Sequence, residues 1–243
     1  MRYRAMLVRL GLSALAALCI SVVPALANTV DFTDSTFNLA NYSESTLFVS
    51  GGTLSFDQCA SCGNPGQALQ ILVSFSGAGS AAIGFVNNGF SYDPLTQGAV
   101  TSMDASVDKD LTGDAGAGNT FRPLIEQDGN FYLAAISGPI IPASGTTGYN
   151  TLSQTGLVAT DFLQYNFATG TFGSANPNFE GDTMLFGLGQ IFSANGAENL
   201  EADYDNLNIG VNSSSVPEPS SLLLLSAGLI GLAACRRRGL QLN

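Results

Sequence analysis

Histidine is absent from this sequence, and so is tryptophan. Without histidine there is no Ser-His-Asp or Cys-His nucleophile and no imidazole-ligated metal site. The lack of tryptophan weakens, without excluding, a platform for stacking sugar rings. Positive charge is scarce too. Of eight Lys and Arg, six lie near the ends: Arg2, Arg4, Arg9, Arg236, Arg237 and Arg238. That leaves Lys109 and Arg122 against 19 Asp and Glu between Asp31 and Glu218, a balance of about −17. Such a body repels phosphate backbones, so nucleic acid is excluded as a partner. It attracts divalent cations, or simply keeps the surface soluble. Four cysteines occur, and only Cys59 and Cys62, as a CxxC, fall in the body.

Long hydrophobic runs are also missing, but two short ones carry information. Residues 10–23 form an apolar stretch of 14 residues behind a basic start, followed by Ala25-Leu26-Ala27. This is the pattern of a secretory signal peptide cut after Ala27, with Asn28 as the mature N-terminus. Cys19 follows Leu18 rather than a small residue, so a lipoprotein signal is rejected. The second run, 222–235, again has 14 residues. As a helix at ~1.5 Å per residue it spans about 21 Å, short of a hydrocarbon core of about 30 Å. A short transmembrane helix of this kind suits a transient inner-membrane intermediate better than permanent residence. Arg236, Arg237 and Arg238 would hold its end on the cytoplasmic side. Gly228 and Gly231 would let another membrane protein approach closely. Pro217 and Pro219 keep the preceding segment extended, the form a protease grips.

Pro217-Glu218-Pro219, the apolar run and the arginine cluster, in that order, resemble the PEP-CTERM sorting signal. That resemblance implies recognition by an exosortase, which cuts near Pro-Glu-Pro and releases or reattaches the body outside the cell. An ordinary single-pass anchor is the alternative.

Between the signals the chain is rich in Gly, Ser, Thr and Asn, and no helical period exceeds two turns. Residues 100–108 (VTSMDASVD) alternate, with Met103, Ala105 and Val107 on one face and Ser102, Asp104, Ser106 and Asp108 on the other. That is a half-buried strand. Further strands are predicted at 46–49, 53–56, 68–75, 81–86, 121–126, 130–136, 156–160, 183–188 and 201–211. Many short strands without covering helices predict an all-β fold, an antiparallel β-sandwich over residues 28–211. Residues 212–215 read as a linker and 216–239 as the sorting signal. In the last strand Ala202 and Tyr204 share one parity, while Leu207, Ile209 and Val211 share the other. This predicts a β-bulge near Asp205-Asn206 that re-aims Asp205.

CGNPGQAL, FSYDPLTQGAVTSMDASVD, FRPLIEQDGNFY, the ATDF of 159–162, NPNFEGDTMLFGLG and YDNLNI follow one another in the body. Together they resemble concanavalin-A-like or laminin-G-like jelly-roll domains. The resemblance implies a jelly roll of a kind that often binds sugars and often carries structural calcium, neither of which transfers automatically.

Four constellations could carry chemistry. Asp108, Asp110, Thr112 and Asp114, with Gly113 at the turn, match the first half of a calcium (Ca2+) loop. Position 12 is Asn119 instead of the bidentate Glu, so the stretch is either half a motif or an acidic turn. Jelly rolls bring first and last strands together, which would set Asp31 or Asp34 near Asp203 or Asp205. Those carboxylates would repel one another unless a cation or protons intervened. Glu201 and Asp203 alternate on one strand face, as the two carboxylates of a glycosidase can. They lie at the end of the domain, and their spacing departs from the Glu, Asp two later, Glu three later of concanavalin-like glycosidases. Finally, Cys59 and Cys62 in an exported chain are expected to form a disulfide, worth about 2 kcal/mol or less by loop entropy. Free thiols, redox chemistry and metal binding are the alternatives. The sequence therefore leads to a non-enzymatic exported β-sandwich at the cell envelope or in the extracellular polysaccharide matrix, structural or glycan-binding. A carboxylate-dependent glycosidase is the alternative.

Overall fold

Alternating apolar and polar residues build almost the whole body as strands. The structure is a computed structural model, and it describes residues 28–44, 47–113, 117–135, 141–142 and 148–214. Ala25, Ala27 and Asp114, together with Pro217, Glu218, Pro219 and Arg236 to Arg238, lie outside the described residues. Among the described residues no helix is long and apolar enough to cross a membrane.

The strands are β1 (Asn28–Asp34), β2 (Tyr42–Glu44), β3 (Phe48–Gly63), β4 (Gly66–Tyr92), β5 (Val100–Gly113), β6 (Ala117–Gln127) and β7 (Asn130–Ala134). Then come β8 (Ile141–Pro142), β9 (Asn150–Leu157), β10 (Phe162–Asn166), β11 (Thr171–Phe172), β12 (Met184–Ala194) and β13 (Ala197–Ser213). One helical turn, α1 (Pro94–Gln97), starts at Asp93, whose side chain caps Leu95 N. The strands pair antiparallel, in the order β11-β10-β7-β6-β12-β4-β13-β5-β9, with β1 added to β13.

This single ladder folds over on itself. The first part of β4 pairs with β13, from Leu69↔Tyr204 to Ser76↔Ala197. Its second part pairs with β12, from Gly79↔Ala194 to Tyr92↔Met184. Thus β12 and β13 lie end to end along one long strand, joined through Asn195-Gly196. β3 follows the same course, with its register shifting between Ser50 and Gly52. Three neighbouring ribbons therefore bend at one level, at Gly51-Gly52, at Gly77-Ala78-Gly79 and at Asn195-Gly196. A Cβ on Gly52 would lie 2.2 Å from Ser74 O, and one on Gly79 would lie 2.4 Å from Ser50 O. The bend needs bare backbone, as at sandwich corners where strands switch layers.

Two layers result, and one cluster fills the space between them. Ile71, Leu111 and Ile209 from one layer pack in the same core as Phe121, Phe186 and Leu188 from the other. A second, smaller cluster of Ala82, Val86, Leu124, Leu133, Tyr165 and Phe167 covers the far side of the β4–β12–β6 layer. The antiparallel sandwich is as expected.

Details differ from the sequence reading. β1, β2, β8, β10 and β11 are additional strands. Residues 159–161 form a 3-10 turn instead of continuing a strand. Asn212 and Ser213 belong to β13, not to a linker; Ser213 is fully buried and its hydroxyl donates to Asn28 O. The bulge is present: the β13–β5 register shifts between Asp205 and Asn208, and Asn206 has φ +52°, a left-handed conformation that Asn tolerates.

The core holds a buried amine. Lys109, on the inward parity of β5, is 0% exposed. Its Nζ donates to Asn119 Oδ1 at 2.6 Å and lies 5.8 Å from the Tyr204 ring centroid. Burial pushes it down to about 7. Tyr204 donates to Gln190 Oε1 at 2.8 Å. The amide nitrogens of Asn119 and Gln190 are buried without a well-formed partner.

Candidate functional site: an acidic sheet face

The outer faces of β13 and β5 bring five acidic residues together. Antiparallel register sets Asp110 opposite Asp203 and Asp108 opposite Asp205, with Thr112 opposite Glu201. On the other side of β13, Gln70 of β4 is opposite Asp203, and Asp57 of β3 is opposite Gln70. A continuous polar row, Asp57–Gln70–Asp203–Asp110, thus crosses four strands.

The two acid pairs are treated differently by their surroundings. Cys59 and Cys62 are joined in a disulfide, and the turn they close presents Asn64 to the bulge. Asn64 N donates to Asp205 Oδ2, and Asn64 O accepts from Asn206 Nδ2 at 2.9 Å. Asn206 N donates to Asp205 Oδ1 at 2.7 Å. Asp108 accepts from Asn206 Nδ2 at 2.9 Å and from the Thr151 hydroxyl at 2.5 Å. Asp205, though fully buried, is therefore satisfied by backbone donors, and Asp108 by side chains. The Tyr149 hydroxyl donates to Cys62 O and seals the turn. Its ionisation is pushed up, first by burial and then by Asp203, Asp205, Asp110 and Asp108.

Asp110 and Asp203 lack this support. Oδ1 of each is buried with no hydrogen-bond partner. The Gln70 carboxamide donates to Glu201 Oε1 at 2.8 Å and also favours the Asp203 anion. Even so, Asp203 is raised to about 6, mainly by burial, with Glu201 and Asp110 adding repulsion. Beside this pair a cleft of about 370 Å³ opens on the same face. Its walls are Thr53, Ser55, Ser74, Thr112 and Glu201, and Leu72, 42% exposed, lies in it.

The calcium expectations do not fit this geometry. Asp108, Asp110 and Thr112 stand in a regular strand instead of a loop, and alternate residues of a strand lie about 6.6 Å apart along it. They cannot wrap one ion. β1 does pair with β13, but Asp31 sits opposite Gly210, seven residues from Asp203 and so about 23 Å along the strand. Asp34 is opposite Leu207. It is saturated by Thr36 N and hydroxyl, Phe37 N and the Tyr42 hydroxyl. Among the described residues no group of three His, Cys, Asp or Glu is placed to hold a metal ion.

Sequence reasoning found the acids but missed Gln70, Asn64, Tyr149 and Thr151. Gln70, Leu72 and Ser74 share one parity in an otherwise apolar run, a readable signal for the outer face. Tyr149 and Thr151 carry no local signal, because only the β5–β9 register brings them near.

The PEP-CTERM protein-sorting motif is matched over residues 215–238. The chain carries a PEP-CTERM sorting motif. No curated protein matches this chain. Among solved structures it is similar to a family 11 carbohydrate-binding module from Clostridium thermocellum in complex with a β-1,3-1,4-mixed-linked tetrasaccharide. There the identity is 13%, the TM-score 0.43, and the coverage 80% of this chain and 99% of that one. The C-terminal family 22 carbohydrate-binding module of a Clostridium thermocellum protein shows 13% identity and TM-score 0.35 over 76% of this chain and 96% of its own. A glycoside hydrolase domain, Endo-D from Streptococcus pneumoniae, shows 11% identity and TM-score 0.33 over 71% of this chain and 22% of its own.

Proposed function

We propose that this protein is exported, sorted by an exosortase to the cell envelope or the extracellular polysaccharide matrix, and acts there as a non-enzymatic binder of polysaccharide. The PEP-CTERM motif carries the sorting half. The expected signal cleavage supports it, because Asn28, the residue after Ala27, is also the first residue of β1 and pairs with Ser213. Cleavage there would leave a domain closed by its own first and last strands.

The polar sheet face supports the binding half. Hydroxyls, the Asn199 carboxamide and the Glu201 carboxylate line an open cleft with one exposed apolar side chain, Leu72, in it, the composition that suits a polyhydroxylated ligand. The strongly acidic body favours a neutral chain over an acidic one.

Mass spectrometry of the protein from native cells is expected to find Asn28 at the N-terminus and a C-terminus near Pro217-Glu218-Pro219. Full-length polypeptide held stably in the inner membrane would defeat the sorting reading. For binding, the protein should be retained on native exopolysaccharide, and Leu72→Asp should lose most of that retention while keeping its melting temperature. No retention on any neutral or acidic polysaccharide, with or without calcium, removes the binding reading.

One observation favours the glycosidase alternative: Asp203 is raised to about 6 beside Glu201, as a general acid beside a carboxylate needs. The same preparation separates the two. Release of reducing ends that disappears in Glu201→Ala and Asp203→Ala would establish an enzyme, and the binding reading expects no release.

A further inference from the structure

A second cleft lies away from the acidic face, and its chemistry differs. It has a volume of about 440 Å³ and is bounded by Thr33, Asp34 and Asn41 on one side and by Asn87, Asn88 and Phe90 on the other. That volume falls within the range of small-ligand sites.

One wall is built rigidly. Phe37, fully buried, is held at φ +43°, a costly conformation for a bulky residue and one that persists only where the surroundings enforce it. Here Asp34 enforces it. Asp34 Oδ1 accepts from Phe37 N at 3.0 Å, from Thr36 N at 2.8 Å and from the Thr36 hydroxyl at 2.9 Å. Its Oδ2 accepts from the Tyr42 hydroxyl at 2.9 Å. The Phe37 and Tyr42 rings stack, with centroids 5.7 Å apart. The only charge lining the cleft is thus used up inside the wall and has little left to offer a cation.

What the cleft presents is neutral. Asn87 is 4% exposed; it accepts from Gly89 N and donates to the Tyr42 oxygen. Asn88 accepts from the Ser43 hydroxyl at 2.9 Å, while its amino group makes no hydrogen bond among the described residues. The Asn41 carboxamide makes none either. Two exposed carboxamides therefore flank an apolar floor, Phe90, which is backed by Phe32 at a centroid distance of 5.4 Å. A carboxamide offers one donor edge and one acceptor edge. That matches a vicinal diol, in which one hydroxyl donates while its neighbour accepts.

We propose that this cleft binds a neutral, polyhydroxylated ligand, a short segment of uncharged polysaccharide, through Asn41 and Asn88. It is a site separate from the acidic sheet face and does not depend on it. If both sites are occupied, one molecule bridges two stretches of glycan, which makes it a cross-linker.

The side-chain amide resonances of Asn41, Asn87 and Asn88 in 15N-labelled processed protein test this. The titrants are cellohexaose, xylohexaose and a neutral agaro-hexaose, with hexagalacturonate as the charged control. At least one neutral sugar is expected to shift these resonances, and hexagalacturonate is not. The shifts should persist in Leu72→Asp, which isolates this cleft from the sheet face. Asn41→Ala with Asn88→Ala, both at exposed positions, should weaken the titration about tenfold without lowering the melting temperature. Absence of shifts at these amides with all three neutral sugars overturns the proposal. So does a stronger response to hexagalacturonate, or loss of the shifts in Leu72→Asp.

Discussion

Lys109→Met is expected to stabilise the domain by about 3 kcal/mol at pH 7 and to raise its melting temperature by about 6–12 °C. In the unfolded chain the amine binds its proton near 10.5, and in the folded protein only near 7. Above pH 10.5 it is neutral in both states, and burying it carries no charge penalty. Between pH 10.5 and 7 only the unfolded chain is protonated, so stability falls as pH falls. Below about 7 both states carry the proton, and the loss levels off at something on the order of 4 kcal/mol. Methionine fills a similar volume without the charge. It strands Asn119 Oδ1, which offsets about 1 kcal/mol of the gain.

The diagnostic is the shape of the stability curve as well as its height. Urea denaturation of the wild type should show unfolding free energy rising steadily from pH 7 to pH 10, and Lys109→Met should flatten that rise. Equal slopes in the two proteins would mean that the amine is not held neutral by the core. A variant less stable than wild type at pH 7 would mean that the Lys109–Asn119 bond is worth more than the desolvation it requires. Because the Lys109 side chain points into the core, on the opposite side of β5 from the acidic face, sugar binding should not change.

The position of Lys109 shows what could be read beforehand. Met103, Ala105 and Val107 set the inward parity of β5, and continuing it by one step places Lys109 inside. Stopping the strand at Asp108 hides this, because a lysine between two aspartates reads as part of a solvated acidic turn. Alternation alone was enough for the all-β class, for most strands and for the bulge at Asp205-Asn206, since each depends on side chains a few residues apart. The corner was not legible. Asn195-Gly196 between two apolar runs has the composition of a hairpin turn, and only pairing with β4 across more than a hundred residues turns it into a bend. The acidic face was half legible for the same reason. Glu201, Asp203, Asp108 and Asp110 announce themselves by alternation, but which acid faces which is a matter of register. Register also separated Asp31 from Asp203 and Asp205, which one calcium reading needed to be close.

That register makes the Asp110–Asp203 pair the most pH-sensitive feature of the proposed sheet-face site. Like charges directly opposite on paired strands repel, and here each has one oxygen without a donor. Asp203 binds its proton near 3.8 when unfolded and near 6 when folded. Its proton therefore stabilises the fold fully below about pH 4, and that stabilisation is lost as pH rises through 6. Asp203→Asn removes the charge and keeps the shape, and its amide can donate to the stranded oxygen of Asp110. Discounted for partial exposure, the gain is about 1–2 kcal/mol at pH 7 and close to nothing at pH 4. Thermal melts of both proteins across pH 4 to 8 should converge at the acid end, separate between about pH 4 and pH 6, and keep a constant gap above pH 6. Curves that stay parallel would show that Asp203 does not hold its proton in the fold. If the charged pair rather than its shape serves the ligand, Asp203→Asn will also weaken polysaccharide retention at pH 7. Acidifying the wild type to pH 5 will do the same, with the fold intact in both cases.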